Sequence, residues 1–167
     1  MLKYFPIDDF VKPVCSTDLQ KVMKKSCMNL FSYAFELFKE VEKVCDNKRF
    51  TILQDDFRRG FMSVADNRFE VPFVIFVKQA DDLSYNTMIY ERKVKSCGKS
   101  KKAKELVEKI NFALIAGECN LKTDGIYFSY TKPCAINFDQ QDKIKIVSTF
   151  FRSVMDSENK ILDIIDK

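Results

Sequence analysis

The sequence lacks the histidine and the glycine-rich loops on which many enzyme active sites depend. Its 167 residues include no histidine, the side chain that most often serves as a general base near neutral pH. Ser-His-Asp and Cys-His catalysis therefore cannot be assembled from this chain. Its four glycines also leave no Walker A or dinucleotide-binding loop. The acidic pairs Asp8–Asp9, Asp55–Asp56 and Asp81–Asp82 lie in turn-like sequence, where aspartate is common. We expect a protein that is not an enzyme and has no cofactor.

The six cysteines are scattered, at positions 15, 27, 45, 97, 119 and 134. There is no Cys-x-x-Cys pair and no histidine to complete a zinc-ligand set, so the sequence predicts no metal site. Three disulfides would suit a short secreted chain with an export signal. However, Asp8 and Asp9 interrupt the apolar stretch that a signal peptide needs, and no run approaches the ~18 apolar residues of a membrane span. We therefore predict reduced cysteines in a soluble, cytoplasmic protein that does not contact a membrane.

The strongest electrostatic feature is a run of basic residues in a chain whose net charge is +4. Several of its lysines fall at the predicted start of a helix, where the helix dipole favours negative charge, so an anionic partner would turn this segment into a binding site. A solvated loop and first helical turn explain the same run, because lysine-rich faces are common. Nucleic acid is the less favoured partner, since no aromatic motif or recognised fold accompanies the lysines. The candidate anion contacts are Arg92, Lys93, Lys95, Lys99, Lys101, Lys102 and Lys104.

A second set of candidates is apolar and points away from the predicted core faces of two helices. On the first helix, three such side chains project roughly 120–180° from Leu19, and on the middle helix one projects about 180° from Ala103. Burial between several elements is one explanation. A dimer contact or partner groove is the other, because small domains rarely expose such a set without use. The candidate partner contacts are Met28, Phe31, Phe35 and Phe112.

The first element that must position these residues is a long helix. N-cap candidates at Ser16, Thr17 and Asp18 precede apolar residues at helical spacing, and Asp46–Asn47 ends the run. Its predicted core stripe consists of Leu19, Val22, Met23, Leu30, Ala34, Leu37, Val41 and Val44, with Cys27, Phe38 and Cys45 at the edge.

Four strand-like segments follow, at 50–53, 60–65, 69–78 and 86–94. Pro72 places the start of the third segment at a sheet edge or a bulge. The short connections favour an antiparallel meander, because parallel strands need long crossovers.

A middle helix and a hairpin come next. The helix should run from about Ser100 until Gly117 stops it. Its predicted core stripe is Ala103, Leu106, Val107, Ile110, Ala113 and Leu114. The turn at 123–125, Thr-Asp-Gly, lies between two β-prone runs and predicts a hairpin of 118–122 with 126–130, which Pro133 closes.

A last helix should begin near Asn137 or Asp139 and bend at Ser157. Its predicted buried face is Ile144, Val147, Phe151, Val154 and Met155, widened by Ile146 and Phe150. The chain is thus expected to be one domain over 1–167, with 1–15 as a lead-in segment. Its predicted class is α+β, an antiparallel sheet with flanking helices in the order α-β-β-β-β-α-β-β-α.

This element order resembles that of the YbjN family and is equally similar to that of type III secretion chaperones. The most specific stretch is KELVEKINFALIAGECNLKTDGIYFSYTKP, residues 104–133. There a helix, an asparagine, a small residue, a glycine, a strand, an acidic-Gly turn, a second strand and a proline follow one another as in YbjN-type domains. The resemblance covers nearly the whole chain in element order and 104–155 at the level of residues.

The resemblance implies a non-enzymatic, often dimeric protein that binds an extended segment of a partner, with the middle helix at the dimer interface. This chain departs from the secretion chaperones in being basic, since they are typically acidic. We expect a non-catalytic protein-binding or chaperone-like module that contacts itself, as a homodimer, or another protein. The alternatives are an anion-directed binder of nucleic acid or acidic protein that uses residues 92–104, and a small inhibitor or toxin-immunity protein. Salt distinguishes the protein-binding module from the anion-directed binder, because only electrostatic binding weakens steeply as ionic strength is raised.

Overall fold

The computed structural model describes residues 32–79, 85–134 and 140–166. Over these ranges the chain forms three helices and one six-stranded antiparallel sheet, which confirms the predicted α+β class and element order. None of the helices described is long and apolar enough to cross a membrane. The elements are α1 (32–45 in its described part), β1 (Phe50–Asp56), β2 (Phe61–Asp66), β3 (Phe73–Gln79), β4 (Asn86–Ser96), α2 (Lys101–Ala113), β5 (Glu118–Lys122), β6 (Gly125–Cys134) and α3 (Gln140–Ile165).

The strands lie in the order β1-β2-β3-β4-β6-β5. The first four form the predicted meander, and each pairs antiparallel with the next. The hairpin of β5 and β6 is also as predicted, and it joins the sheet through β6, which pairs with β4 over ten residue pairs. This arrangement leaves β1 and β5 at the two edges. It also makes β4 a central strand with partners on both sides.

The three helices pack on one face of the sheet and enclose a core that is rich in phenylalanine. Alternate residues of β2, β3 and β4 are buried, as the two-residue period of a strand with one covered face requires. Phe73 of β3 lies at the centre, with its ring 5.0 Å from that of Tyr90 and 6.3 Å from that of Phe151. Residues of α1, α2 and α3 all belong to this one hydrophobic cluster.

The buried faces of α1 and α3 are rotated slightly from the predicted stripes. In α1 the predicted core residues Ala34, Leu37 and Val41 are buried, but Val44 is exposed and the edge residues Phe38 and Cys45 are buried in its place. The predicted caps and stripe before residue 32 lie outside the described residues. In α3 the prediction is wrong for Ile144, which is exposed, whereas Val147, Phe151 and Val154 are buried. The missed core contributor there is Ile161.

Two predicted boundaries are corrected by the structure. Helix α2 ends at Ala113 rather than at Gly117, with Leu114 as an extended C-cap whose N–H donates to the carbonyl of Ile110. Gly117 does have a positive φ of 75°, but its role is close approach, because a Cβ there would lie 2.5 Å from the Phe128 ring. Pro133 does not close the sheet but lies within β6, opposite Thr87. It is tolerated there because β5 has already ended on that side.

Cys45, Cys97, Cys119 and Cys134, the four described cysteines, are not joined in disulfides. Burial raises the pKa of Cys45 and of Cys119 to about 12, so both remain protonated thiols at neutral pH. They act as small apolar core residues, and a nucleophilic thiolate is not available at either position.

Candidate interaction surface

Helix α2 is fixed at its first turn by a side-chain cap and along one face by the core. The Ser100 hydroxyl accepts a hydrogen bond from the N–H of Ala103 at 3.1 Å, as an N-cap should. Ala103 and Ile110 are buried, and the rest of the packed face is Leu106, Val107 and Leu114, which are partly buried against the core. The predicted stripe of α2 is therefore confirmed for these five residues.

The end of α2 is held against the sheet edge by Asn111. Its amide donates to the carbonyl of Cys119 at 2.9 Å, and its carbonyl oxygen accepts from the N–H of Cys119 at 2.7 Å. Cys119 lies on the edge strand β5, so the asparagine side chain satisfies backbone groups as a further strand would. The following loop is fixed as well, because the hydroxyl of Ser157 on α3 donates to the carbonyl of Ala116 at 2.8 Å.

This anchored end carries two apolar side chains that project into solvent. Phe112 is 95% exposed and Ile115 is 90% exposed. The next most exposed large apolar residue among those described is Leu53, at 55%. Phe112, in the last turn of α2, and Ile115, in the loop that follows it, together are called the apolar end of α2. Because Asn111 is hydrogen-bonded to Cys119 and the following loop is held through Ala116, the Phe112 ring cannot turn toward the core without breaking these contacts.

Phe35, the other predicted partner contact among the described residues, is not comparably exposed. Phe35 is 36% exposed, and its ring packs edge-to-face on Phe57 with centroids 4.9 Å apart. The Lys39 ammonium also covers this ring, at 5.6 Å from its centroid. Met28 and Phe31 lie outside the described residues. Of the two predicted contacts that the structure describes, Phe112 is the one that is almost fully accessible.

The residues of the predicted basic segment lie in four different places. Lys99, Lys101, Lys102 and Lys104 are exposed around the start of α2, where the first turn has no acidic residue. Lys101 is 3.8 Å from Glu105. Lys93 lies apart, on the outer face of β4. It donates to Asp124 at 2.8 Å, and this hydrogen bond raises the pKa of Lys93 and lowers that of Asp124. Lys95 is half-buried and follows a bulge in β4.

The prediction is wrong for Arg92, which is not a surface residue. Its side chain is fully buried and forms ion pairs with Asp66, at 3.1 Å, and with Glu158, at 3.0 Å. Both carboxylates are also fully buried. These three residues, from β4, β2 and α3, are called the buried charge cluster. Arg49 and Arg68 cover its rim, with Arg49 2.8 Å from Asp66 and Arg68 3.4 Å from Glu158.

Aromatic rings and a tyrosine hydroxyl complete the environment of Arg92. The guanidinium lies 3.9 Å from the centroid of the Phe69 ring and 4.8 Å from that of Phe73, within cation–π distance of both. Its Nε donates to the Tyr90 hydroxyl at 2.8 Å, and that hydroxyl donates to Glu158. Burial raises the pKa of Tyr90, as does the adjacent Glu158, so the hydroxyl stays a donor.

Sequence reasoning missed Asp66 and Glu158, although a signal for Arg92 was present. Asp66 falls just after the predicted strand segment 60–65, and Glu158 is one of several charged residues in the predicted last helix. Along β4, however, the buried residues Asn86, Met88 and Tyr90 recur at every second position, and Arg92 continues that series. An arginine on the inward face of a central strand requires buried acidic partners.

The outer face of the sheet contains a shallow cavity of about 490 Å³. Its floor includes Phe61, Phe76 and Ile89, and the two rings are 5.4 Å apart. Two of its charged rim residues, Asp56 and Arg59, already pair with each other at 3.5 Å. The cavity therefore has an apolar floor, and two of the charged residues at its rim pair with each other. Its lining does not bring several unpaired polar groups together, as a small-molecule site would.

Comparison with known proteins gives no match: no family model, no curated protein and no solved structure corresponds to this chain. The resemblance to YbjN-type domains and secretion chaperones stays a prediction from sequence.

Replacing Arg92 with methionine should strongly destabilise the fold. Removing one partner from a buried ion network leaves uncompensated charge and costs about 3–5 kcal/mol in free energy of unfolding. The matched control is Lys78→Met, because Lys78 is an exposed basic residue of the neighbouring strand β3. That change should shift the free energy by no more than about 0.5 kcal/mol. Urea denaturation followed by far-UV circular dichroism measures both, and equal losses in the two variants would contradict a structural role for the cluster.

The stability of the protein should also depend on the protonation of Glu158. Burial raises the pKa of Glu158 above its ordinary value of 4.5, although Arg92 and the Tyr90 hydroxyl lower it. The folded state therefore holds this proton more tightly than the unfolded state, and the stabilisation is lost as pH rises from about 4.5 through the raised value. Glu158→Gln cannot titrate. In urea titrations at several pH values, the wild type should lose free energy of unfolding relative to this variant as pH rises, and a constant difference would refute the assignment.

Proposed function

We propose that this protein is a non-catalytic, chaperone-like protein-binding module that acts as a homodimer and binds through the apolar end of α2. The observation that carries the proposal is the exposure of Phe112 and Ile115, at 95% and 90%, on a segment whose backbone is fixed. Scattered apolar side chains are common on protein surfaces. An almost fully exposed phenylalanine followed three residues later by an almost fully exposed isoleucine is more typical of an interaction site.

The energetics favour an intermolecular contact for these side chains. Burying a phenylalanine side chain contributes about 1.5–3 kcal/mol, and the part of the chain that the structure describes leaves the Phe112 ring 95% exposed. Since Asn111 and the capped first turn already hold α2 in place, little conformational entropy is lost when a partner binds. The predicted resemblance supports the same conclusion, because it implies a dimer built on the middle helix.

Phe112→Glu should convert the homodimer to a monomer without changing the fold. A buried carboxylate at the interface would be desolvated, whereas in the monomer this position faces water. Size-exclusion chromatography with light scattering, at concentrations up to high micromolar, measures the mass. Far-UV circular dichroism should be unchanged.

The control for this experiment is Ile144→Glu, which makes the same apolar-to-acidic change at an exposed position of α3. It should leave the mass of the dimer unchanged. A wild type that remains monomeric at high micromolar concentration would refute self-association. Unfolding of the Phe112 variant would place that ring in the core and contradict the described geometry.

A second candidate function, anion-directed binding to nucleic acid or acidic protein, is favoured by the exposed lysines at the start of α2. Among the residues described, Lys99, Lys102 and Lys104 form no ion pair, and Lys101 has only its long contact with Glu105. Unlike the apolar contact, binding by these lysines would weaken steeply as salt is raised.

Replacing Lys99, Lys101, Lys102 and Lys104 with glutamine should abolish anion binding if this second function holds. Stability should be almost unchanged, since these charges oppose the helix dipole. Fluorescence anisotropy with a short labelled duplex and with an acidic peptide measures binding at two salt concentrations. A control variant with the same loss of charge carries glutamine at the exposed positions Lys43, Lys48, Lys78 and Lys145. Equal binding by both variants would assign the first set to an ordinary solvated face.

A further inference from the structure

We propose that the end of the sheet at which β4 and β5 stop is a binding surface for single-stranded nucleic acid, with a base stacked on Tyr127 and its phosphates held by lysines on either side. The surface includes the lysines of the second proposed function, on which this proposal rests, and adds the hairpin of β5 and β6. It does not depend on the homodimer.

Tyr127 lies on the outer face of β6 between two ammonium groups. The Nζ of Lys122 is 4.2 Å from the centroid of its ring, and the Nζ of Lys93 is 6.0 Å from it. Strand register produces this arrangement, because Tyr127 is paired with Lys93 of β4 on one side and with Asn120 of β5 on the other. Lys122 follows Asn120 by two positions and so shares its face. The fold thus supplies the aromatic side chain that the lysine run lacks in sequence, and a ring flanked by cations suits a single strand.

The other lysines are on different elements, but they border the same end of the sheet. Ser96 at the end of β4 and Lys122 at the end of β5 are both paired with Gly125, the first residue of β6. Lys101 begins α2 five residues after Ser96, so their Cα atoms are no more than about 18 Å apart. A strand of the usual site size, about 4–16 nucleotides, can therefore reach both the hairpin and the start of α2. The lysines of this basic end are Lys93, Lys95, Lys99, Lys101, Lys102, Lys104 and Lys122.

The net charge of the chain is concentrated at this basic end. Over 91–105 and 122–127, the surface has these seven lysines and only three carboxylates, Glu91, Glu105 and Asp124. The excess of four equals the net charge of +4 for all 167 residues, so the other charges of the chain cancel one another. Because attraction to phosphates supplies most of the non-specific affinity for nucleic acid, a polyanion should bind at this end.

Two of the three carboxylates already pair with the lysines beside Tyr127. The Nζ of Lys93 is 2.8 Å from Asp124, and that of Lys122 is 3.0 Å from Glu91. Asp124 also accepts a hydrogen bond from the Tyr127 hydroxyl at 3.0 Å. Exposed ion pairs of this kind contribute little to stability, so a phosphate can replace either carboxylate at small cost.

The aromatic ring favours a single strand over other polyanions. A base of an unpaired strand can lie against Tyr127 while the phosphates next to it contact Lys93 and Lys122. In a duplex the bases are stacked within the double helix, and an acidic peptide has no base. Either of these ligands would bind through the lysines alone.

Fluorescence anisotropy with a labelled oligothymidylate about twelve nucleotides long, at several salt concentrations, tests the proposal. Tyr127→Ala should weaken binding about tenfold and leave the salt dependence unchanged, because it removes stacking but no charge. Lys122→Gln should instead lower the slope of log affinity against log salt concentration by about 0.7, as expected for one lost phosphate contact. Tyr127→Phe retains the ring and should bind as tightly as the wild type. Far-UV circular dichroism checks that each variant is folded, and Tyr127→Leu replaces the alanine variant if that one unfolds.

Removing a competing carboxylate gives an independent measurement. Asp124→Asn frees the ammonium of Lys93 and should raise the affinity for the oligothymidylate about two- to fivefold. The control is Asp55→Asn, which makes the same change of charge at an exposed position of β1, the strand at the opposite edge of the sheet. Equal gains in the two variants would show that net charge alone matters and would overturn the assigned surface.

The outcomes separate this surface from the function on which it rests. If a duplex or an acidic peptide binds as tightly as the single strand, and the loss of the Tyr127 ring changes nothing, the stacking surface is wrong while anion-directed binding stands. If none of the three ligands binds at low salt, anion-directed binding is wrong and this surface with it.

Discussion

The structure depends on a guanidinium that is enclosed in the core. Arg92 joins three elements that are distant in sequence, because its partners Asp66 and Glu158 come from β2 and α3. A charge in this position is tolerated only while Asp66, Glu158 and the Tyr90 hydroxyl surround it, and this requirement fixes the position of α3 on the sheet. Apolar packing tolerates small shifts of a helix along a sheet, whereas a directional ion pair does not. The rings of Phe73, Phe150 and Phe151 then pack together in the position of α3 that these ion pairs fix.

The position of α3 on the sheet in turn fixes the segment that carries the exposed side chains of Phe112 and Ile115. Ser157 lies one residue before Glu158, and its hydroxyl holds the loop after α2 through the carbonyl of Ala116. The buried charge cluster and the apolar end of α2 are thus connected through adjacent residues of one helix. A displacement of α3 would release the loop that carries Ile115. The exposed side chains are therefore presented on a rigid support, which reduces the entropy that association must overcome.

The fold could be predicted from the sequence because strand and helix periods are local and strong. The antiparallel meander, the Asp124-Gly125 hairpin and the inward face of α2 all follow from spacing and turn chemistry. The candidate site was only partly predictable. The exposure of Phe112 followed from its position opposite Ala103, but Arg92 was grouped with surface lysines that are its neighbours in sequence. The pairing of Arg92 with Asp66 and Glu158 joins residues 26 and 66 positions apart, and no local pattern contains that information. The alternation of β4 does carry part of this information, since Arg92 falls on the same face of the strand as the buried residues Asn86, Met88 and Tyr90.

The hydrogen bonds from Asn111 to Cys119 have a consequence for the kinds of assembly that this protein can form. An open strand edge beside an exposed phenylalanine would favour repeated pairing with the strands of further copies, and the product would be a fibre. Here the amide of Asn111 occupies the backbone N–H and carbonyl of Cys119 in β5, and at the opposite edge β1 is interrupted by a bulge between Ile52 and Gln54. Strand addition is disfavoured at both borders of the sheet for these reasons. The chain can therefore keep a strongly apolar contact point in water with less tendency to open-ended growth.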